Sequence, residues 1–175
     1  MATPLVGILM GSDSDWPVMQ QAGQVLDEFG IAWEAHVHSA HRSPELVREF
    51  ISSASRRGLK VIIAGAGGAA HLAGVCAAHT TLPVIGVPIE SKSLKGMDSL
   101  LATVQMPKGV PVATVAIDGA ANAGLLAVQI LALHEARLQA ALVAYKQKLA
   151  DSVSKADAGL RVPPGAGAKA GKAAA

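Results

Sequence analysis

The sequence predicts an α/β fold built on a parallel β-sheet, and three observations carry that prediction. Short runs rich in Val and Ile alternate with stretches of helical periodicity, the rhythm of repeated βαβ units. Of the 175 residues, 51% are hydrophobic and 16% charged, so one domain can bury enough apolar surface to offset its chain entropy. The stretch Val61–Ile89 contains no Asp, Glu, Lys or Arg, as expected of strands covered on both faces. Its Gly65, Gly67, Gly68, His71, His79, Thr80, Thr81 and Pro83 make it a poor membrane span and divide it into strand, turn, helix and strand.

Taken along the chain, strands are predicted at Leu5–Met10, Trp33–His38, Lys60–Ala64, Val84–Val87 and Val112–Ala116, each bounded by Gly, Pro or Ser. The first helix begins near Pro17, sets Val18, Ala22, Val25, Leu26 and Phe29 on one face, and stops at Gly30, which suits a left-handed C′ position. In the second, Ser43 is the expected N-cap with Pro44 in the first turn. Leu46, Val47, Phe50, Ile51 and Ala54 form its apolar face, and Gly58 ends it. A helix over Ala120–Leu133 is apolar nearly all round, through Leu125, Leu126, Val128, Ile130, Leu131 and Leu133. That pattern predicts burial against another subunit as well as the sheet. From Arg137 to Leu149 the spacing of Leu138, Ala141, Leu142, Tyr145 and Leu149 gives one apolar face, suited to a neighbouring chain. Residues 1–150 therefore read as a single α/β domain. Residues 151–175, rich in Ala, Gly, Pro and Lys, read as a C-terminal extension that is largely flexible, above all from about 160 onward.

Charge and composition exclude several function classes. The formal net charge of +2 resides in segment 151–175, leaving a neutral body with 3% aromatic residues, which argues against a nucleic-acid partner. Cys76 has no intrachain partner and sits in an apolar run, as expected of a buried, inert thiol in a reducing compartment. The N-terminal residues do not read as a signal peptide, because Pro4 and Gly7 interrupt the apolar run and no basic segment precedes it; a cytoplasmic location is the expectation. No His/Cys/carboxylate spacing suits zinc, and neither a P-loop nor a Gly-x-Ser-x-Gly elbow occurs, so no metal is expected.

In open parallel sheets, ligands bind beyond the carboxyl ends of the strands, near a reversal of strand order. A strand order of 2-1-3-4-5 would bring three polar segments together there. Gly11-Ser12-Asp13-Ser14-Asp15-Trp16 places hydroxyls and a carboxylate before a helix, where Ser12 or Ser14 could donate to a phosphate and Asp15 could accept from ribose hydroxyls. Helix capping accounts for one of these residues but does not require four polar residues in a row. Ser39-Ala40-His41-Arg42-Ser43-Pro44 sets a side-chain type that changes charge near neutrality beside a planar anion clamp. Such a pair can move a proton while the substrate is held by its phosphate; a lone surface His would carry no such meaning. In Gly65-Ala66-Gly67-Gly68-Ala69-Ala70-His71, the residues Gly65, Gly67 and Ala70 also satisfy G-x-G-x-x-[GA], with Glu90 downstream, so a nicotinamide site competes. The same glycines equally allow close backbone approach to any small planar or anionic ligand. A non-catalytic nucleotide-binding module is the remaining class.

Together these residues resemble a known family. Gly11-Ser12-x-Ser14-Asp15-Trp16, Ser39-Ala40-His41-Arg42-x-Pro44, Ala64-Gly65-Ala66-Gly67-Gly68-Ala69-Ala70-His71-Leu72, and Asp98-Ser99-Leu100-Leu101 followed by Val104-Gln105-Met106-Pro107 are similar to the bacterial 5-(carboxyamino)imidazole ribonucleotide mutases of purine synthesis. The resemblance runs from about residue 5 to residue 150. It implies a three-layer flavodoxin-like domain assembled as a homo-octamer, with a small ribonucleotide as substrate and no ATP, metal or organic cofactor. It also implies a reaction, in which the carboxylate moves from the exocyclic nitrogen to the adjacent ring carbon. By the same resemblance His41 is the general acid/base; Ser12, Ser14, Asp15, Ser39 and Arg42 bind the ribonucleotide; and Gly65, Ala66, Gly67, Gly68 and His71 enclose the imidazole and transient carbon dioxide. The related aminoimidazole ribonucleotide carboxylase, which takes free carbon dioxide, is the nearest alternative. Two departures stand out: Ile117–Ala123 is shorter than its usual counterpart, and Ala73 replaces a common Pro.

Overall fold

The structure, a computed structural model, describes residues 3–160. The expectation of a flexible tail beyond them lies outside the described residues. By contacts the chain divides into two units, 1–139 and 140–175.

The first unit holds a five-stranded parallel sheet of order β2-β1-β3-β4-β5, with β1 at Val6–Met10, β2 at Trp33–Val37, β3 at Val61–Gly67, β4 at Val84–Ile89 and β5 at Ala113–Thr114. This is the flavodoxin-like order that the loop positions required. β1 and β4 are buried throughout, and β3 over its first five residues, because helices cover both of their faces. On one face lie α2 (Pro44–Ala54), α3 (Leu72–Ala78) and α4 (Met97–Val104). Val47, Phe50 and Ile51 of α2 join Leu72 and Cys76 of α3 over Leu9, Ile62 and Ala64 of the sheet. Burial pushes the Cys76 thiol up to about 12, so it stays protonated and inert. The other face carries α1 (Trp16–Glu28) and α5 (Ala120–Ala132), which pack against each other.

Local chemistry explains most boundaries. α1 starts with Pro17 in its first turn and ends as expected: Gly30 adopts φ +66° and donates its N–H to the Asp27 carbonyl at 3.0 Å, while Ile31 donates to Leu26 at 2.9 Å. At α2, Ser43 occupies the N-cap position but its hydroxyl makes no cap bond to the helix; it accepts from the backbone N–H of Ser39 at 2.9 Å. The expected cap is thus replaced by a tie within the preceding turn. α4 was not anticipated as a helix. Its stop is more readily explained than its start, since Pro107 follows shortly after the C-cap Gln105.

Expected boundaries move in four elements, and β4 runs to Ile89 instead of Val87. β3 runs through Gly67 instead of stopping at Ala64, because Ala66 and Gly67 continue the ladder opposite Pro88 and Ile89 of β4. Gly65 and Gly67 are therefore strand residues, and a Cβ at Gly65 would collide with the thioether of Met19 in α1. β5 shrinks to two residues. α6 (Ala136–Ala158) continues nine residues past Leu149, where the amphipathic spacing fades. Its residues from Ala140 onward belong to the second unit.

The small residues of α5 set its distance from α1. Ala120, Ala123, Gly124, Ala127 and Val128 are buried, and a Cβ on Gly124 would lie 2.7 Å from the Ala22 carbonyl oxygen. That neighbour is backbone and cannot rotate away. Gly124→Ala should lower stability by about 1–3 kcal/mol through forced separation of the helices. Urea unfolding tests this, and an unchanged midpoint would contradict the close packing.

Candidate functional site

Because β2, β1 and β3 are consecutive in the sheet, the segments leaving their carboxyl ends meet, and they enclose a cleft of about 390 Å³. Gly11, Ser12, Ser14 and Asp15 line it from the first segment, Ser39, Ala40, His41 and Arg42 from the second, and Ala66, Gly67, Ala69 and Leu72 from the third.

The first segment folds into a single 3-10 turn, Asp13–Asp15, closed as a capping box. Ser12 donates its N–H to Asp15 Oδ2 at 3.1 Å, and Ser12 Oγ accepts from the Ser14 N–H at 3.4 Å. Capping therefore engages both Ser12 and Asp15. Asp15 is buried, and desolvation raises its carboxyl above the ordinary value of 3.8. Hydrogen bonds from Ser12, Ser14 and Gly11 and the charge of Arg42 oppose that rise without cancelling it.

In the second segment Ser39 is the organiser. Its hydroxyl oxygen faces the backbone N–H groups of His41 at 3.4 Å and Arg42 at 3.2 Å and Nε of Arg42 at 3.4 Å. The buried Ser39 thereby fixes the backbone of the two exposed residues that follow it. Arg42 reaches across and donates from its guanidinium to the Gly11 carbonyl, tying the second segment to the first. The guanidinium is thus held at the cleft with its planar fork oriented.

His41 Nε2 lies 2.9 Å from His71 Nδ1, with the ring planes at 82°. One ring donates and the other accepts, so each imidazole orients the other. His71 is the N-cap residue of α3, and its position depends on the turn that ends β3. At that turn Gly68 takes φ +63° and donates its N–H to Ser99 Oγ at 2.8 Å.

Most sequence-predicted residues come together. Ser12, Ser14, Asp15, Ser39, His41, Arg42, Ala66 and Gly67 all line the cleft. Gly65 lies beneath, in the sheet, where its carbonyl accepts from the Gly11 N–H at 3.2 Å. Gly68 does not line the cleft, and His71 is linked to it through His41. The G-x-G-x-x-A reading loses its geometry here, since Gly65 and Gly67 are ladder residues and not the strand-to-helix turn a pyrophosphate needs. Gly11, Ala40, Ala69 and Leu72 were not singled out as site residues, although each lies within or beside the motifs that were. Small or apolar side chains carry no chemical signal by themselves. Ser99, distant in sequence, has a role visible only in three dimensions.

The raised Asp15 carboxyl makes a signed prediction. A folded-state value above the unfolded one means a stability contribution that is fully present below the ordinary value and lost as pH rises through the raised value. Wild-type stability relative to Asp15→Asn should therefore fall as pH rises from below the ordinary value of 3.8 through the raised value. Urea titrations of both proteins across that range test it, and a difference that grows with pH would refute the burial argument.

Comparison with known proteins identifies the family. The AIR carboxylase family matches residues 5–152. The N5-carboxyaminoimidazole ribonucleotide mutase of Vibrio parahaemolyticus is 57% identical over 150 residues, covering 85% of this chain and 93% of its own length. The Mycobacterium tuberculosis protein of the same name is 58% identical over 158 residues, covering 90% and 91%. Among solved structures, that of Treponema denticola PurE superimposes with a TM-score of 0.82 at 29% identity, covering 91% of this chain and 99% of that one. With a matching sheet, a matching family profile over most of its length and relatives of this identity, the chain belongs to the AIR carboxylase family.

Proposed function

We propose that the protein is a mutase that converts 5-(carboxyamino)imidazole ribonucleotide to 4-carboxy-5-aminoimidazole ribonucleotide, in purine synthesis. The observation that carries this reading is the pairing at one cleft of an oriented imidazole, His41, with a tethered guanidinium, Arg42, opposite the Ser12–Asp15 turn. That set suits a phosphorylated substrate whose reaction needs one proton given and one taken. Relatives more than half identical over most of the chain bear the mutase name, which favours internal transfer over the use of free carbon dioxide.

In this reading Arg42 and the Ser12 and Ser14 hydroxyls hold the phosphate, and Asp15 accepts from the ribose hydroxyls. Ser39 keeps the Arg42 segment in register. As the carbamate C–N bond breaks, its electron pair stays on nitrogen, carbon dioxide is released, and protonated His41 gives a proton to that nitrogen. The ring carbon then attacks carbon dioxide, a C–C bond forms, and neutral His41 removes the proton from that carbon. Protons and electrons balance, and His41 ends as it began. His71 fixes the direction of the His41 ring. The end of β3 and the turn after it, through Ala66, Gly67 and Ala69, wall the imidazole and the transient carbon dioxide from water.

A homo-octamer in the cytoplasm completes the proposal. Supporting it is the apolar face left open by α4, where Met97 is 50%, Leu101 47% and Val104 47% exposed, and by Leu133 after α5 at 71%. Light scattering at working concentration should give a particle of eight chains; a monomer would overturn the assembly. Residues 1–150 act as the catalytic domain and 151–175 as an extension to it.

The reaction is tested with substrate labelled in its carboxylate, in buffer containing unlabelled bicarbonate. Wild type should deliver the label into product, and His41→Asn should lower the rate by at least about a hundredfold. Unlabelled product made only when bicarbonate is present would favour the carboxylase. Ligand binding with no turnover by wild type would favour a binding module.

A further inference from the structure

The turn that ends β3 is held by a side chain that neither the capping of its own helix nor the mutase chemistry above accounts for. Ser99 sits in the first turn of α4 and is fully buried, at 0% exposure. Its Oγ accepts the Gly68 N–H at 2.8 Å and donates its own proton to the Ile89 carbonyl at 2.7 Å. Those partners come from different strands. Gly67 and Ile89 are the last paired residues of β3 and β4, so the hydroxyl stands where the next ladder bond would be. It joins the carbonyl at the end of one strand to the amide at the turn of the other.

Ser99 is itself fixed on both sides of its backbone. Its N–H goes to Asp98 Oδ1 at 2.9 Å, a carboxylate oxygen that also accepts the Ser91 hydroxyl at 2.6 Å. Its carbonyl accepts the Thr103 hydroxyl at 2.7 Å. The clasp therefore has no freedom to follow the turn if the turn moves. Beyond Gly68, Ala69 lines the cleft and His71 meets His41.

We propose that Ser99 is a positioning residue that holds the Gly67–Ala69 turn closed over the reacting atoms, so that carbon dioxide leaving the carbamate nitrogen is recaptured by the ring carbon before it exchanges with solvent. This rests on the mutase reading. Ser99 gives and takes no proton in the reaction; it acts on the partition between recapture and escape. Without the hydroxyl, the buried Ile89 carbonyl and the half-buried Gly68 N–H both lose their partner. Water must enter or the turn must open, and either change gives carbon dioxide an exit.

The experiment compares wild type, Ser99→Ala, Ser99→Cys and Gly124→Ala, all as full-length chains, with carboxylate-labelled substrate in unlabelled bicarbonate. Two quantities are read: the ratio of label lost to label retained in product, and the exchange rate of the Gly68 amide. Ser99→Ala should raise the loss ratio about fivefold and speed exchange at Gly68. Ser99→Cys, similar in size but a weak hydrogen-bonding group, should fall between, and it carries the test if the alanine variant does not fold. Gly124→Ala, which crowds the packing of α5 on α1 and touches neither Ser99 nor Gly68, should cost stability yet keep the wild-type ratio. Retention equal to wild type in a folded Ser99 variant would overturn the proposal, as would equal leakage in Gly124→Ala. A wild type that transfers no label would instead overturn the mutase reading itself.

Discussion

Both backbone polar groups of Gly11 are hydrogen-bonded across segment boundaries, and the site hangs on that residue. Its N–H goes to the Gly65 carbonyl of β3, and its own carbonyl receives the Arg42 guanidinium from the segment after β2. One residue at the end of β1 thus ties together what the strand order β2-β1-β3 brings near. If the sheet had another order, the same three segments would lie apart and their polar residues would only cap helices. The requirement for small residues follows from the same approach. The floor of the cleft is backbone, and Met19 of α1 fills from below the space a side chain at Gly65 would need.

The site's polarity is arranged by hydroxyls more than by charges. Ser39 sets the Arg42 turn, Ser12 closes the Asp15 turn, and Ser99 clasps the Gly68 turn. A serine hydroxyl is small and both donates and accepts, so it satisfies backbone groups where a strand ends and the ladder no longer can. The charged groups have a different status. Asp15 is buried at a cost that its hydrogen bonds only partly offset, whereas Arg42 is exposed and held by its contacts with Gly11 and Ser39. A rigid, mostly neutral frame carrying a few oriented polar groups suits proton transfer to and from a ring better than a strongly charged cleft would.

Several features were legible in residue order. The four long strands and helices α1, α2, α5 and the start of α6 follow from Val/Ile runs, apolar spacing and stops such as Gly30. The three polar segments were identifiable because Ser, Asp, His and Arg cluster where strands end. What escaped has physical reasons. β3 was read as too short because Ala66 and Gly67 have weak strand preference, and only pairing with Pro88 and Ile89 draws them into the sheet. Helix α4 is short, and its N-cap, Gly96, makes no side-chain cap bond. The Ser43 hydroxyl was assigned to the helix it precedes, but the turn behind it competes for the same oxygen.

By itself the sequence determined the fold class, the covered parallel strands and the polar side chains that line the cleft, since these depend on periodicity and on which residue types lie beyond each strand. The tertiary structure alone decided which atoms face one another: His41 against His71, Arg42 against Gly11, Ser99 against Gly68. Each of those pairs spans about thirty residues or more of chain, and no local preference encodes such a meeting. It arises when parallel strands are set side by side, because crossover connections bring their carboxyl ends to one edge while leaving them far apart in sequence.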